Sequence, residues 1–328
     1  MADWKIFRGS GRQHDGLRRL PAPPPWRFAR HWTPVERASE FDGSEAMRAR
    51  AFIATEAMVQ SVNTALYLRR PLLVTGQPGV GKSTLISKVA HELSMGPVLR
   101  WPINSRSTVR AGVYEYDAVG RLQSGAGEAP PVASYLTLGP LGTALAARGR
   151  PRALLIDEID KSDLDFANDL LNVIEEGEYQ IPELQRLGER HSEVRDANGA
   201  IVSIEDGRLA TEHFPFVIMT SNAERDFPAA FLRRCVRLDV PPPDRDQLVR
   251  IVRTQLRVHG DRIDVGAIDR MIERFLDAAA TGDMSTDQLL NAIFLTVSMP
   301  GARGREFSDV ERDALLASLL RPIGRAEQ

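Results

Sequence analysis

The stretch GQPGVGKST, from Gly76 to Thr84, decides how the rest of this sequence is read. PLLVTG (71–76) leads into it, a short apolar run bounded by Pro and Gly that reads as a buried parallel strand. STLISKVAHEL follows with helical spacing. A glycine-rich turn between a strand and a helix suits phosphate. Glycines let successive backbone N–H groups turn inward around phosphate oxygens, and the helix adds its positive N-terminal end. Gly76, Gly81, Lys82 and Ser83 satisfy the full G-x-x-x-x-G-K-S pattern. With glycine at about 7% usage, a chance match in a chain of this length is on the order of one in a hundred. The pattern assigns Gly76, Gln77, Pro78, Gly79, Val80, Gly81, Lys82, Ser83 and Thr84 to a nucleotide phosphate chain. Lys82 is expected on the β- and γ-phosphates, and the Ser83 hydroxyl on Mg²⁺.

Such a site needs an acidic residue ending a neighbouring strand. ALLIDEID supplies Asp157, 75 residues after Lys82, directly behind four apolar residues. Asp157 is expected to hold the magnesium and Glu158 to orient and polarise the attacking water. Hydrolysis also calls for a polar group that senses the γ-phosphate, and MTSN places Asn222 at the end of a further strand. Asn is also a common turn residue there. Positive charge against the transferring phosphoryl group is the last requirement. FLRRC offers Arg233 and Arg234, though helix C-termini attract Arg in any case.

VLRWPIN (98–104), ALLIDE (153–158), FVIMTSN (216–222) and CVRLDV (235–240) repeat the buried-strand pattern. Helices are expected between them at 143–149, 166–177 and 228–234, with one long helix before them from Glu45 to about Arg70. Strands alternating with helices predict an α/β fold, a five-stranded parallel sheet covered on both faces. Insertions interrupt the alternation near 105–136 and 177–214. The first carries Tyr114 and Tyr116 at alternate positions, which suit either a pore or partner contact or packing of a hairpin on the core. The second contains the turn signals ANG and EDG, so a hairpin is expected there, with His191 solvated.

After PPPD (241–244) strand signals stop, and four helices are predicted near 244–258, 263–280, 285–298 and 308–320. Ser285 with Gln288, and Ser308 with Glu311, have capping-box spacing. Residues 241–328 thus read as a small helical domain beside the nucleotide-binding domain at 45–240. Residues 1–44 differ from both. They hold PAPPPW and three of the four tryptophans, and read as an extended arm that docks on its own body or on a neighbouring subunit.

Composition excludes several classes. A formal charge of −2 gives no bulk attraction to nucleic acid, and no nucleic-acid module is recognisable. Cys235 is the only cysteine, which rules out an internal disulfide and fits a reducing, cytoplasmic setting. The absence of a His/Cys cluster gives no reason to expect a structural metal. No run of 18 apolar residues suggests a membrane span, and the N-terminus lacks the apolar core of a signal peptide.

Taken in order, GQPGVGKST, LLIDEIDK, TSN and AFLRRC resemble the AAA+ ATPases, and RPLLVTGQPGVGKS, LGPLGTAL and FANDLLNVIEEGEYQIP are similar to the MoxR-like and dynein-related branch. The resemblance spans about residues 45–320. It implies an αβα core with a helical lid, ATP with Mg²⁺ as ligand, and a homo-oligomeric ring, usually of six. It gives Lys82, Ser83, Asp157, Glu158 and Asn222 the roles reasoned above. It also implies a finger arginine entering the neighbouring subunit, matched best by Arg234 and next by Arg233, and a client protein, commonly one with a von Willebrand A domain. One feature departs from it: where the lid of this branch usually carries an arginine, the sequence reads MSTDQLLNAI with Asp287, so the contact either comes from elsewhere, for example Arg303 or Arg305, or is missing. Two functions follow, a remodelling ATPase or a nucleotide-controlled scaffold with little turnover.

Overall fold

A computed structural model describes residues 4–25, 43–123, 130–259, 265–279 and 284–298. The chain divides into two compact units: Met1–Arg50, Ala54–Thr75 and Ser83–Leu238 form the first, and Ala51–Ile53, Gly76–Lys82 and Asp239–Gln328 the second.

The elements begin with α1 (Gly43–Ala51), α2 (Glu56–Leu68), β1 (Leu72–Thr75), α3 (Lys82–Glu92) and β2 (Leu99–Pro102). The first insertion holds α4 (Val109–Val113), β3 (Tyr114–Tyr116), α5 (Ala118–Gln123) and β4 (Leu136–Leu138). Then come α6 (Pro140–Ala146), β5 (Ala153–Asp157) and α7 (Leu164–Glu176). The second insertion contributes β6 (Glu178–Gln180), α8 (Pro182–Gln185), β7 (His191–Arg195), β8 (Ile201–Glu205) and β9 (Arg208–Ala210), followed by β10 (Phe216–Ser221), α9 (Ala229–Leu232) and β11 (Val236–Asp239). The second unit carries α10 (Arg245–His259), α11 (Val265–Ala279) and α12 (Thr286–Ser298).

The five core strands form one sheet in the order β11-β1-β10-β5-β2, all buried on at least one face. β10 runs parallel to both β1 and β5, and Met219 lies opposite Ile156. That register brings the ends of β5 and β10 side by side. Where one long helix is predicted from Glu45, the chain forms two. Thr55 starts the second by accepting the Met58 N–H at 3.3 Å, so Phe52–Thr55 interrupt the helical run. Asp163 caps α7 in the same way, and Gly177 ends it with φ 66°.

Both insertions join a second, six-stranded sheet in the order β3-β4-β7-β8-β9-β6. The two turn signals of the second insertion lie where they are expected. ANG closes β7 onto β8, and Asp206-Gly207, both at positive φ, close β8 onto β9. Tyr114 is 2% exposed and packs in the core, with its hydroxyl donating to Glu183 at 2.7 Å. Burial and that carboxylate push its phenol up to about 12. Of the two uses open to the tyrosines, the core holds this one. His191 is exposed.

The close approach of α6 to α4 depends on two glycines. A Cβ on Gly142 would lie 1.9 Å from the Val113 carbonyl oxygen, and one on Gly139 would lie 2.5 Å from those of Ala111 and Gly112. Alanine at 142 would gain about 1 kcal/mol of helix propensity. The backbone clash outweighs it, so Gly142→Ala is expected to cost about 2–3 kcal/mol net. An unchanged or higher urea midpoint would show that α6 has room to retreat.

The arm over residues 4–25 docks on its own subunit's α2 and α3. Ile6, Phe7, Leu17 and Leu20 are buried. Asn63, wholly buried on α2, accepts the Ile6 and Phe7 N–H groups (2.7 and 3.0 Å) and donates to the Phe7 and Val59 carbonyls (2.7 Å each). At the far end of α3, the buried Glu92 carboxylate accepts the N–H groups of Arg8 (2.6 Å), Gly9 (3.1 Å) and Gly11 (2.7 Å). Neighbouring His91 is held below its ordinary value by burial and by Arg50 and Lys88, so it serves as a neutral acceptor for the Arg50 guanidinium. Trp4 packs against Tyr67 with ring centres 5.9 Å apart. Trp26 and Trp32 lie outside the described residues.

In the second unit, Leu248, Val252, Ile272, Phe275, Leu289 and Ile293 lie in one core shared by the three helices. The Ser285–Gln288 capping box forms as expected, with Ser285 N–H donating to Gln288 Oε1 at 2.8 Å. The fourth predicted helix, its Ser308–Glu311 cap, Arg303 and Arg305 lie outside the described residues. Among the described residues, no helix is long and apolar enough to cross a membrane.

Candidate nucleotide site

The loop Gly76–Lys82 belongs to the second unit. Gly76, Gly79 and Gly81 have φ of 146°, 77° and 90°, in the region that only glycine occupies freely. Their missing side chains matter as well. A Cβ would lie 2.4 Å from the Val240 carbonyl oxygen at Gly76, 2.0 Å from Ser285 Oγ at Gly79, and 2.9 Å from the Phe52 ring at Gly81. Lys82 is 7% exposed, and its ammonium donates to the carbonyls of Gly76 (2.6 Å) and Gln77 (2.8 Å). The cation is therefore fixed at the loop's own mouth. Asp287 stands in the first turn of α12, where a carboxylate complements the helix's positive end.

The first unit carries the acidic half. Ser83 Oγ donates to Asp157 Oδ1 at 2.8 Å, joining the start of α3 to the end of β5. Thr220 on β10 also hydrogen-bonds Asp157 Oδ1, and it accepts the Glu158 N–H at 2.9 Å. A buried hydroxyl thus orients both acidic residues. Sequence reasoning missed Thr220, because only the parallel register sets it opposite Asp157. Its signal was a polar residue inside the apolar run FVIM-T-S, two positions before Asn222.

Glu158 has left-handed backbone, φ 60° and ψ 49°. For a residue with a side chain this costs on the order of 1–2 kcal/mol, and it persists only where neighbours enforce it. Its half-exposed carboxylate pairs with Lys161 three residues on, and that hydrogen bond raises the lysine above its ordinary value. Asn222 follows the end of β10, with its N–H donating to Asp160 Oδ2 at 2.9 Å. Ser83, Asp157, Glu158 and Asn222 are therefore joined through two intermediaries, Thr220 and Asp160.

The arginines lie elsewhere in this unit. Arg234 is engaged on α7, with Asn172 at 3.0 Å and Glu175 at 3.3 Å. Arg233 is exposed; its carbonyl accepts a bond from Arg70 at 3.0 Å, and no side-chain partner holds its guanidinium among the described residues.

These residues fit a magnesium–nucleotide complex. Ser83 and Asp157, brought together at 2.8 Å, are hard oxygen donors of the kind Mg²⁺ takes. A parallel sheet with a glycine-lysine loop after its first strand and an acidic pair ending a neighbouring strand defines a P-loop nucleotide-binding protein. The model of one protein family, AAA domain (dynein-related subfamily), matches residues 71–235, half of the chain, and the chain belongs to that family. No curated protein matches it. Among solved structures, it is similar to domain III of the Thermotoga maritima replication initiation protein DnaA, at 14% identity and a TM-score of 0.47, over 87% of this chain and 100% of that one.

Proposed function

We propose that this protein binds ATP with Mg²⁺ and hydrolyses it as a ring-forming, MoxR-like ATPase that remodels or activates a partner protein. The observation that carries the reading is the Ser83–Asp157 hydrogen bond beside Glu158. It joins a hydroxyl and a carboxylate, 74 positions apart, of the types that together ligate magnesium. In this reading Gly76–Thr84 cradle the phosphates, Lys82 neutralises the β- and γ-phosphates, and Ser83 and Asp157 hold the metal. Bound Mg²⁺ supplies charge neutralisation at the phosphates. Glu158 takes the proton of the attacking water, and Asn222 positions the γ-phosphate end. The proposed division of labour is an arm at 1–44, a nucleotide-binding domain at 45–240 and a lid at 241–328. The client is a protein, with a von Willebrand A domain partner as the first to test, and the setting is the cytoplasm.

A second reading, an ATP-controlled scaffold with slow turnover, has one observation in its favour: the Glu158 carboxylate is already engaged by Lys161. Particle mass and steady-state hydrolysis, each with and without ATP and Mg²⁺, separate the two. An ATP-dependent ring that turns over supports the remodeller; a ring without turnover supports the scaffold, and a monomer that ignores ATP sinks both.

The trans-acting cation in this proposal comes from the Arg233–Arg234 pair, and each needs its own test because one is held and the other exposed. Mixed rings of Glu158→Gln subunits with Arg234→Ala or Arg233→Ala subunits are expected to regain turnover, at least about tenfold over either parent, for the arginine that acts across the interface. Failure of both mixtures in verified mixed rings would remove the arginine pair from the mechanism.

A further inference from the structure

Asp160 is 4% exposed and sits in the short turn after β5, two residues beyond Glu158. Its Oδ2 accepts two backbone N–H groups from the loop after β10, those of Asn222 (2.9 Å) and Glu224 (3.2 Å). These two donors straddle Ala223, which has φ 60°. The left-handed turn that presents Asn222 is therefore closed by a carboxylate from another strand's loop. The other oxygen, Oδ1, is buried with no hydrogen-bond partner among the described residues.

Closing the turn in this way takes a buried carboxylate, which is costly to desolvate. Each of the linked loops contains one non-glycine residue in left-handed backbone, Glu158 and Ala223. Such strain survives where the surroundings over-determine the conformation. Here the constraints are shared: Thr220 fixes the Glu158 N–H, Asp160 fixes both sides of Ala223, and Arg225 ties back to the Ser162 carbonyl at 2.9 Å. A shift of either loop is transmitted to the other.

We propose that Asp160 is a positioning residue that locks the loop carrying Asn222 to the turn carrying Glu158, so that recognition of the γ-phosphate and activation of water occur in one geometry. This rests on the hydrolytic reading above and deepens it. Asp160 itself touches no reacting atom; it acts through Asn222.

The test is Asp160→Asn in the full chain, read by kcat and by the affinities for ADP and for a non-hydrolysable ATP analogue. Loss of the lock is expected to lower kcat about tenfold or more and to shrink the preference for the triphosphate, with ADP affinity kept within about threefold. Asn222→Ala is expected to do the same, and the double variant to be no worse than the worse single one. Equal weakening of ADP and triphosphate would mark Asp160 as merely structural and overturn the proposal, as would wild-type turnover with wild-type preference. A wild-type chain that binds ATP without hydrolysing it would instead defeat the hydrolytic reading, and the nucleotide preference would still judge Asp160. If Asp160→Asn does not fold, hydrogen exchange at the Asn222 and Glu224 amides of the wild type decides. Protection that differs between the ADP and triphosphate states supports the lock, and identical protection overturns it.

Discussion

Glu158→Gln is expected to cut ATP turnover by about 100-fold or more while nucleotide affinity stays within a few-fold of wild type. Glutamine has the same shape, so the Glu158 N–H keeps its bond to Thr220 and the left-handed turn is kept. What disappears is the basic oxygen that takes the water's proton in the proposed mechanism, a contribution of about 10²–10⁴ in rate. Lys82→Ala should behave in the opposite sense. It removes a nearly buried ammonium from a loop whose remaining donors are neutral N–H groups. Losing one charge-assisted contact of about 3 kcal/mol lowers affinity about 100-fold. Titration of a fluorescent ATP analogue beside steady-state kinetics reads both variants. Equal loss of affinity in the two would show that the roles assigned to Lys82 and Glu158 are wrong.

Glu92→Ala is expected to be strongly destabilising, although it lies at the opposite end of α3 from Lys82. Three backbone N–H groups, a Ser10 hydroxyl at 3.2 Å and His14 at 3.4 Å converge on that carboxylate, which is wholly buried. Alanine removes the acceptor of a buried Gly11 N–H and of four part-buried donors, at a cost of about 3–5 kcal/mol. For a protein of this size that lowers Tm by roughly 4–7 °C. Glu92→Gln keeps one accepting oxygen and should lose about half as much. Calorimetry gives the size, and proteolysis gives the place: cleavage within residues 4–25 should precede cleavage of the core. A Tm within about 2 °C of wild type would show that the arm contributes little to stability.

The core strands β1, β5 and β10 were legible because each is a short apolar run, and buried parallel strands have few other ways to be written; β2 and β11 alternate apolar with exposed positions. Gly76 and Gly81 were legible from the motif; the positive φ of Gly79 and its approach to Ser285 were not. The break at Phe52–Thr55 was not. Its only mark is one threonine, a weak cap inside a stretch whose apolar spacing continues through it. The six-stranded second sheet was also hidden. Its turns could be read from ANG and EDG, but the pairing of β4 with β7 joins segments 58 residues apart, Thr137 with Arg195. No local pattern records a partner at that distance.

By itself, the sequence determined the class of fold, the phosphate loop, the acidic pair and the capped start of α12, because each is set by local chemistry: backbone freedom, charge, or a side chain reaching its own turn. Only the tertiary structure decided that Thr220 sits against Asp157, that Asp160 holds the Asn222 loop, that Arg234 is engaged on α7 while Arg233 is exposed, and that residues 8–14 of the arm converge on Glu92. Those contacts depend on which strands become neighbours and in what register. Register is a property of the packed sheet: it is chosen by burial summed over many residues, and no single residue carries it.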